Sequence, residues 1–348
     1  QPRSRGLGDV YKRQLLASVG PASALSCLPG RHSGAFLSNR AKRTYAALIA
    51  VLIGLALLLT FGVLSWNNPV PFGTDGYWRI ARMRGTSLVT IAVVVTCHAF
   101  ATVAFHTVTA NRIITPSIMG FEALYVVLQT AAVFFLGAVG LTTLTPGARF
   151  ALLAVLMVTF ATMLYSWLLR GTADNIHVML LVGVILGGGL GSLSTFMQRM
   201  LDPSTFDILT ARLFGNISNA DPELLPIAIP VVALTAAVLY ASSRYLNVLS
   251  LGREASINLG LNHRRATIMV LLAVSVLMAV TTSLVGPMTF LGFLMATLAY
   301  QLTHTYDHRL IFPVAVLVGY VIVTLSYFIL RHVFSAQGAV TVIIEPVS

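Results

Sequence analysis

Nine stretches of about twenty residues run through this chain with almost no charged side chain, at roughly 45–66, 86–107, 117–138, 150–169, 177–198, 225–243, 266–286, 288–304 and 310–330. About 20 apolar residues are what an α-helix needs to cross the ~30 Å hydrocarbon core of a bilayer. Inside that core the backbone N–H and C=O groups must find partners within the protein, and a helix of this length satisfies them within its own segment. The chain therefore reads as an all-α, polytopic membrane protein with nine spans. Its composition agrees: only 9% of the 348 residues are charged, where a soluble domain carries about 25%. That is too little charge to cover a water-facing surface.

The formal charge of +11 could suggest nucleic acid, but its location argues against that. Residues 1–44 hold Arg3, Arg5, Lys12, Arg13, Arg31, Arg40, Lys42 and Arg43 against Asp9 alone. Arg40, Lys42 and Arg43 stand directly before the first apolar run, the pattern of a cytoplasmic flank. With the N-terminus inside, the loops near 108–116, 170–176, 244–265 and 304–309 become cytoplasmic. Residues 1–39 mix Gly, Ser, Pro and Arg without period, and Gly20–Pro21 interrupts Leu15–Leu28 too strongly for a signal peptide. Residues 1–44 read as a disordered basic segment that need not be native sequence, and 45–344 as the transmembrane domain. The close at 345–348, just after the apolar Ala339–Ile344, reads as a C-terminal truncation. Cys27 and Cys97 imply neither a disulfide framework nor a metal cluster.

The whole chain has two lysines, Lys12 and Lys42, neither in a Gly-rich loop. A Walker-type ATPase core is thereby excluded. Between Arg265 and His304 no Asp, Glu, Lys, Arg or His occurs, and Gly286–Pro287 marks a tight break between two spans. The most informative polar stretch is 244–265. Gly252 can break the incoming helix, Glu254 brings negative charge to the first turn of a short helix, and Gly260 suits a left-handed C-terminal cap. The result is either an ordinary basic loop or a short surface helix of the kind that presses into a groove on a partner. Cysteines at Ser256 or Asn258 would then report that contact.

The run Leu-Asn-x-Leu-x-Leu-Gly-x-Glu-Ala-x-x-x-Leu-Gly, from Leu246 to Gly260, resembles the coupling segment of the iron-chelate and cobalamin permease family of ABC importers, the FecCD type. Asn111-Arg-Ile-Ile-Thr-Pro116-Ser-Ile-Met-Gly120 is similar to that family's Asn-Pro-Leu-Ala-x-Pro-x-x-Leu-Gly motif. Gly286-Pro287-Met-Thr-Phe-Leu-Gly292 is similar to its Gly-x-Ile-x-Phe-Val-Gly, and Asp307-His308-Arg309 to its Asp-His-Arg. The resemblance covers about 45–344 and looks most like the second permease of catecholate siderophore systems. It departs at Met295–Ala296, where the family has Pro-His, and at Arg82-Met-Arg84-Gly, where it has Arg-Leu-Pro-Arg. Members have about ten helices, so a tenth is missing here.

The resemblance implies a permease subunit moving a ferric siderophore across the cytoplasmic membrane, with no catalytic residue, cofactor or resident metal. Its partners would be membrane lipid, cytosolic ATP-binding subunits, a second permease subunit, and a periplasmic or lipoprotein solute-binding protein. Leu251, Gly252, Glu254, Ala255, Leu259 and Gly260 would couple to the ATPase. Arg84 and Arg331 would pair with glutamates of the binding protein, with Arg82 replacing the doublet member lost at Ser87. Asn111, Pro116, Gly120, Glu122, Gly286, Pro287 and Gly292 are the candidates for the pathway or its helix breaks. Cobalamin or haem remain alternative cargoes. A secondary transporter is disfavoured because Glu122 is the one carboxylate inside a span, where such machines place their coupling ions.

Three features stay open on the residues alone. Glu122 reads by default as functional, yet its place after the Pro116–Gly120 break also suits a hydrated helix end. Gly183, Gly187 and Gly191, spaced i, i+4, i+8, form a small-residue packing face. His98/His106 and His304/His308 could each present two imidazoles, but lack a third ligand and read as packing or solvated groups.

Overall fold

A computed structural model describes residues 39–66, 70–71, 73–140, 145–168, 176–213, 217 and 220–332. The chain divides into two compact units at Ala46. In the first only 39–46 are described, as helix; the second is described from 47 to 332. The helices are α1 (Asn39–Ser65), α2 (Asp75–Thr109), α3 (Glu122–Gly140, preceded by a π turn Ser117–Phe121), α4 (Pro146–Leu168), α5 (Ile176–Arg199), α6 (Pro203–Leu213), α7 (Leu225–Ala241), α8 (Ser243–Leu249), α9 (Arg253–Asn258), α10 (His263–Val285), α11 (Leu291–Thr303) and α12 (His308–His332).

Among the described residues, eight helices are long and apolar enough to cross a membrane. They partition by environment. The most apolar window of α2 is 83% buried and that of α10 72%, against 11% for α1. α2 and α10 are therefore the core, α12 packs on α2, and α1 turns its side chains outward. Leu57, Leu58 and Phe61 on α1, Val155 and Met163 on α4, Ile185 and Phe196 on α5 and Leu234 on α7 are exposed. In a bilayer such surfaces suit acyl chains, a solvent as apolar as they are, or the apolar face of another membrane helix.

The helix ends follow local chemistry. Thr74 Oγ1 accepts from the Tyr77 N–H to start α2, with Asp75 in the first turn, and Asn262 Oδ1 accepts from the Arg265 N–H to start α10. α10 stops where Gly286 takes φ 88 and Pro287 can donate no hydrogen bond.

Four expectations need correction. The tail expected disordered to residue 44 is helical from Asn39, with Thr44 Oγ1 donating to the Arg40 carbonyl. Residues 1–38, and the expected truncation at the chain end, lie outside the described residues. The second span begins at Asp75, giving a 35-residue helix of about 52 Å that outreaches the hydrocarbon core. The ninth span is α11, whose 13 residues reach only about 20 Å. The break before it is therefore inside the bundle: a Cβ on Gly292 would fall against Thr102 of α2, about 10 Å from that helix's end. Of the glycine face, Gly183 and Gly187 are the two that meet another element among the described residues. A Cβ on Gly187 would lie 3.1 Å from the Gly120 Cα, while Gly191 has nothing within 4 Å.

Candidate functional site

Contacts gather the polar segments at two opposite ends and one internal break. At the first end, the guanidinium of Arg112 lies 4.6 Å from the Tyr300 ring centroid and 5.8 Å from that of Tyr306. Asn247 on α8 meets Asp307 and His308 at the start of α12. The segments 110–116, 243–262 and 304–307 thus share one end of the helices.

On that end, α9 is a six-residue helix between two glycines in the left-handed region, Gly252 at φ 92 and Gly260 at φ 83. The Leu261 N–H donates to the Ser256 carbonyl and the Gly260 N–H to that of Ile257, the paired bonds of a Schellman cap. Those bonds and the Ser256 hydroxyl, which contacts the Gly252 and Arg253 carbonyls and His263 Nδ1, hold one side of the turn inward. The other side shows Leu251 (62% exposed), Ile257 (49%) and Leu259 (63%), with exposed Glu254 and Asn258 and half-buried Ala255 beside them. Capped backbone plus a bare apolar surface is suited to a partner's groove. Ser256, expected to be reachable, is buried; Asn258 is the reporter position that remains.

At the opposite end the three arginines differ. Arg84 is buried, its Nη1 donating to the carbonyls of Val63 (3.1 Å), Leu64 (3.3 Å) and Trp66 (2.8 Å) at the close of α1. Its head is therefore not presented for docking, which corrects that expectation. Arg82 is exposed. Arg331 is exposed too, braced by Tyr327, whose Oη accepts from its Nη1 at 2.6 Å. Arg331 edges a cavity of about 460 Å³ whose wall includes Thr86, Ser87, Thr90 and Asp221. Ser87, where the resemblance loses an arginine, faces this space.

Between the ends, Glu122 joins the two helix breaks. Asn111 Oδ1 accepts from the Ile113 N–H in a tight turn, Pro116 opens the π turn, and Gly120 at φ 98 bends it against α5. The next residue but one, Glu122, is buried; its Oε1 accepts from the Met288 N–H at 3.0 Å and its Oε2 from the Thr289 hydroxyl at 2.5 Å. The hydrated helix end expected for Glu122 is thus not what the fold provides. The carboxylate braces the segment after Gly286–Pro287, near the N-terminus of α11, where negative charge is favoured. Of the histidines, His98 and His308 are buried, His304 is exposed, and His106 Nδ1 lies 3.4 Å from the Tyr300 hydroxyl. Among the described residues no three His, Cys, Asp or Glu groups are placed to hold a metal.

Sequence reasoning missed Thr289, Thr102, Tyr300 and Asn247 as partners. The Asp307-His308-Arg309 motif was visible, but nothing local shows that Asn247 meets it.

The chain matches the FecCD transport family over residues 47–347. It is 46% identical to the petrobactin import system permease protein FatC of Bacillus anthracis, across 90% of this chain and 89% of that protein. It is 33% identical to the petrobactin import system permease protein YclO of Bacillus subtilis, across 85% and 92%. A solved metal-chelate type ABC transporter in an inward-facing conformation shares the fold, with a TM-score of 0.74 at 19% identity, covering 86% of this chain and 94% of that one. A permease of this kind sits in the cell membrane, is not itself an enzyme, and works with ATPase and substrate-binding partners. The helical architecture, the motifs in order and the match along most of its length together establish that the chain belongs to the FecCD transport family of ABC-importer permeases.

Proposed function

We propose that this chain is one permease subunit of an importer that carries a ferric siderophore of the petrobactin type across the cytoplasmic membrane. The observation that carries the reading is the 46% identity, over about nine-tenths of both chains, to a petrobactin import permease. A second permease completes the pathway. Cytosolic ATP-binding subunits seat on α9 through Leu251, Ile257 and Leu259, and a solute-binding protein docks at the opposite end near Arg82 and Arg331. ATP binding displaces α9, and the helices follow between two states of access, each stabilised by different contacts with the partner.

The test is uptake in cells lacking their own importer of this kind, supplied with this permease, its partner permease, ATPase and binding protein. Radiolabelled ferric petrobactin should accumulate, and unlabelled ferric petrobactin should compete where cobalamin, haem and ferric enterobactin do not. Accumulation of one of those competitors in place of ferric petrobactin overturns the cargo assignment.

A further inference from the structure

α9 can act on membrane helices distant in sequence through what holds its arm to them. The arm, α8, packs by Leu246 and Leu249, both buried. Apolar contact resists separation but is non-directional, so it permits sliding. The directed link on α8 is Asn247. Its Nδ2 donates to Asp307 Oδ1 at 3.0 Å, and its Oδ1 accepts from the His308 backbone N–H at 3.0 Å and faces His308 Nδ1 at 2.5 Å. Since that oxygen is the acceptor, His308 carries its proton on Nδ1, which leaves Nε2 to accept. Nε2 lies 2.6 Å from the Thr107 hydroxyl on α2, whose single proton it shares with the Val103 carbonyl at 2.9 Å. Asp307 Oδ1 also accepts from the Arg309 N–H at 3.1 Å, capping the first turn of α12.

One amide therefore grips the first turn of α12 at three points, and His308 carries the grip on to α2. α9 is also tied to the start of α10, by the Ser256 hydroxyl and His263 Nδ1 at 2.9 Å. That second route ends on the helix its own chain runs into, whereas the Asn247 route crosses to two helices distant in sequence.

We infer that Asn247 is the positioning residue that locks the ATPase-coupling arm to α12 and α2 through Asp307, His308 and Thr107, so that a displacement of α9 is converted into movement of those helices. This rests on the reading that α9 is the ATPase contact. The clamp must resist shear along the membrane surface, and directed hydrogen bonds do so where the leucines cannot.

The test uses the complete transporter in liposomes, with cargo uptake and ATP hydrolysis measured together. The cargo is ferric petrobactin, or the competitor that the cellular uptake assay selects. Asn247→Ala should leave the ATPase subunits bound and hydrolysis within about twofold, while uptake per ATP falls about tenfold, since three bonds to the α12 cap are lost. Asn247→Asp should fall as far, because two carboxylates then face each other at 247 and 307. The exchange Asn247→Asp with Asp307→Asn restores a donor–acceptor pair and should return uptake per ATP to within about threefold of the unmodified value. An unchanged ratio in Asn247→Ala overturns the inference. So does a parallel loss of hydrolysis and uptake that the exchange fails to restore, which marks a merely structural role. Failure of the underlying reading looks different: Leu251→Asp and Leu259→Asp would then leave the ATPase subunits bound.

Discussion

The carbonyls that Arg84 gathers close α1, where a helix runs out of internal partners. Guanidinium is the side chain best suited to such a place: always charged, weakly hydrated and rich in donors. Arg84→Ala should lower stability by about 2–4 kcal/mol, since charge-assisted bonds to buried carbonyls are lost together. Arg84→Lys, which keeps charge and donors but not reach, should recover part of it, as read from thermal unfolding in detergent. Arg331 is the contrast. Its exposed charge should contribute up to about 1 kcal/mol to docking, so Arg331→Glu weakens binding-protein affinity, more at low salt than at high, with little change in stability. Glu122 belongs with Arg84. Glu122→Ala leaves the Met288 N–H and the Thr289 hydroxyl without their acceptor and should cost about 2–4 kcal/mol. Glu122→Gln keeps one acceptor and should cost less. If the thermal shift of Glu122→Ala matched that of a lipid-facing substitution such as Leu57→Ala, the carboxylate would not be what braces the segment after Pro287.

At the scale of elements, α9 is legible because its determinants are local. Two left-handed glycines, an acidic first turn and a Schellman cap are each set within a few residues, and the sequence carries all of them. Its facing is a different matter, because it depends on Ser256 meeting His263. A cysteine at Asn258 should crosslink to the ATPase subunit in membranes, whereas one at Ser256 should react slowly, as its side chain is turned inward. Equal reactivity at both positions would mean that α9 rotates freely. The glycine face of α5 shows the same division. All its glycines suit a packing stripe, but only Gly183 and Gly187 meet the π turn before α3. Gly187→Val should cost about 1–3 kcal/mol through overpacking against the Gly120 backbone. Gly191→Val, with open space around it, should stay within about 0.5 kcal/mol.

At the scale of the whole molecule, the unit described from 47 to 332 has a buried core of α2, α10 and α12, an exposed apolar turn at α9, and a half-span, α11, after an internal break. A break inside a membrane protein needs polar partners, because the bilayer supplies none. Glu122 and Thr289 provide them here. The chain has no phosphate-binding loop, so the purified subunit alone should neither bind ATP detectably nor hydrolyse it. Equilibrium dialysis with labelled nucleotide measures this, and saturable binding by the isolated chain would contradict the division of labour between subunits.

Hydropathy determined the membrane class, the helical class and most span positions, since burial of about 20 residues in hydrocarbon is a property of composition along the chain. Glycine, proline and charge placed the breaks and α9 for the same local reason. The tertiary structure decided what these elements do to one another. Arg84 turns to carbonyls 18 to 21 residues away rather than to solvent, Asn247 grips His308 from 61 residues away, and Glu122 reaches Met288 across 166. Even the half-span needed the fold: the apolar run at 288–304 reads as a crossing until Gly292 is found seated against Thr102, deep in the bundle. Side-chain direction and helix depth are set by which surfaces pack, and packing partners distant in the chain leave no periodic mark within it.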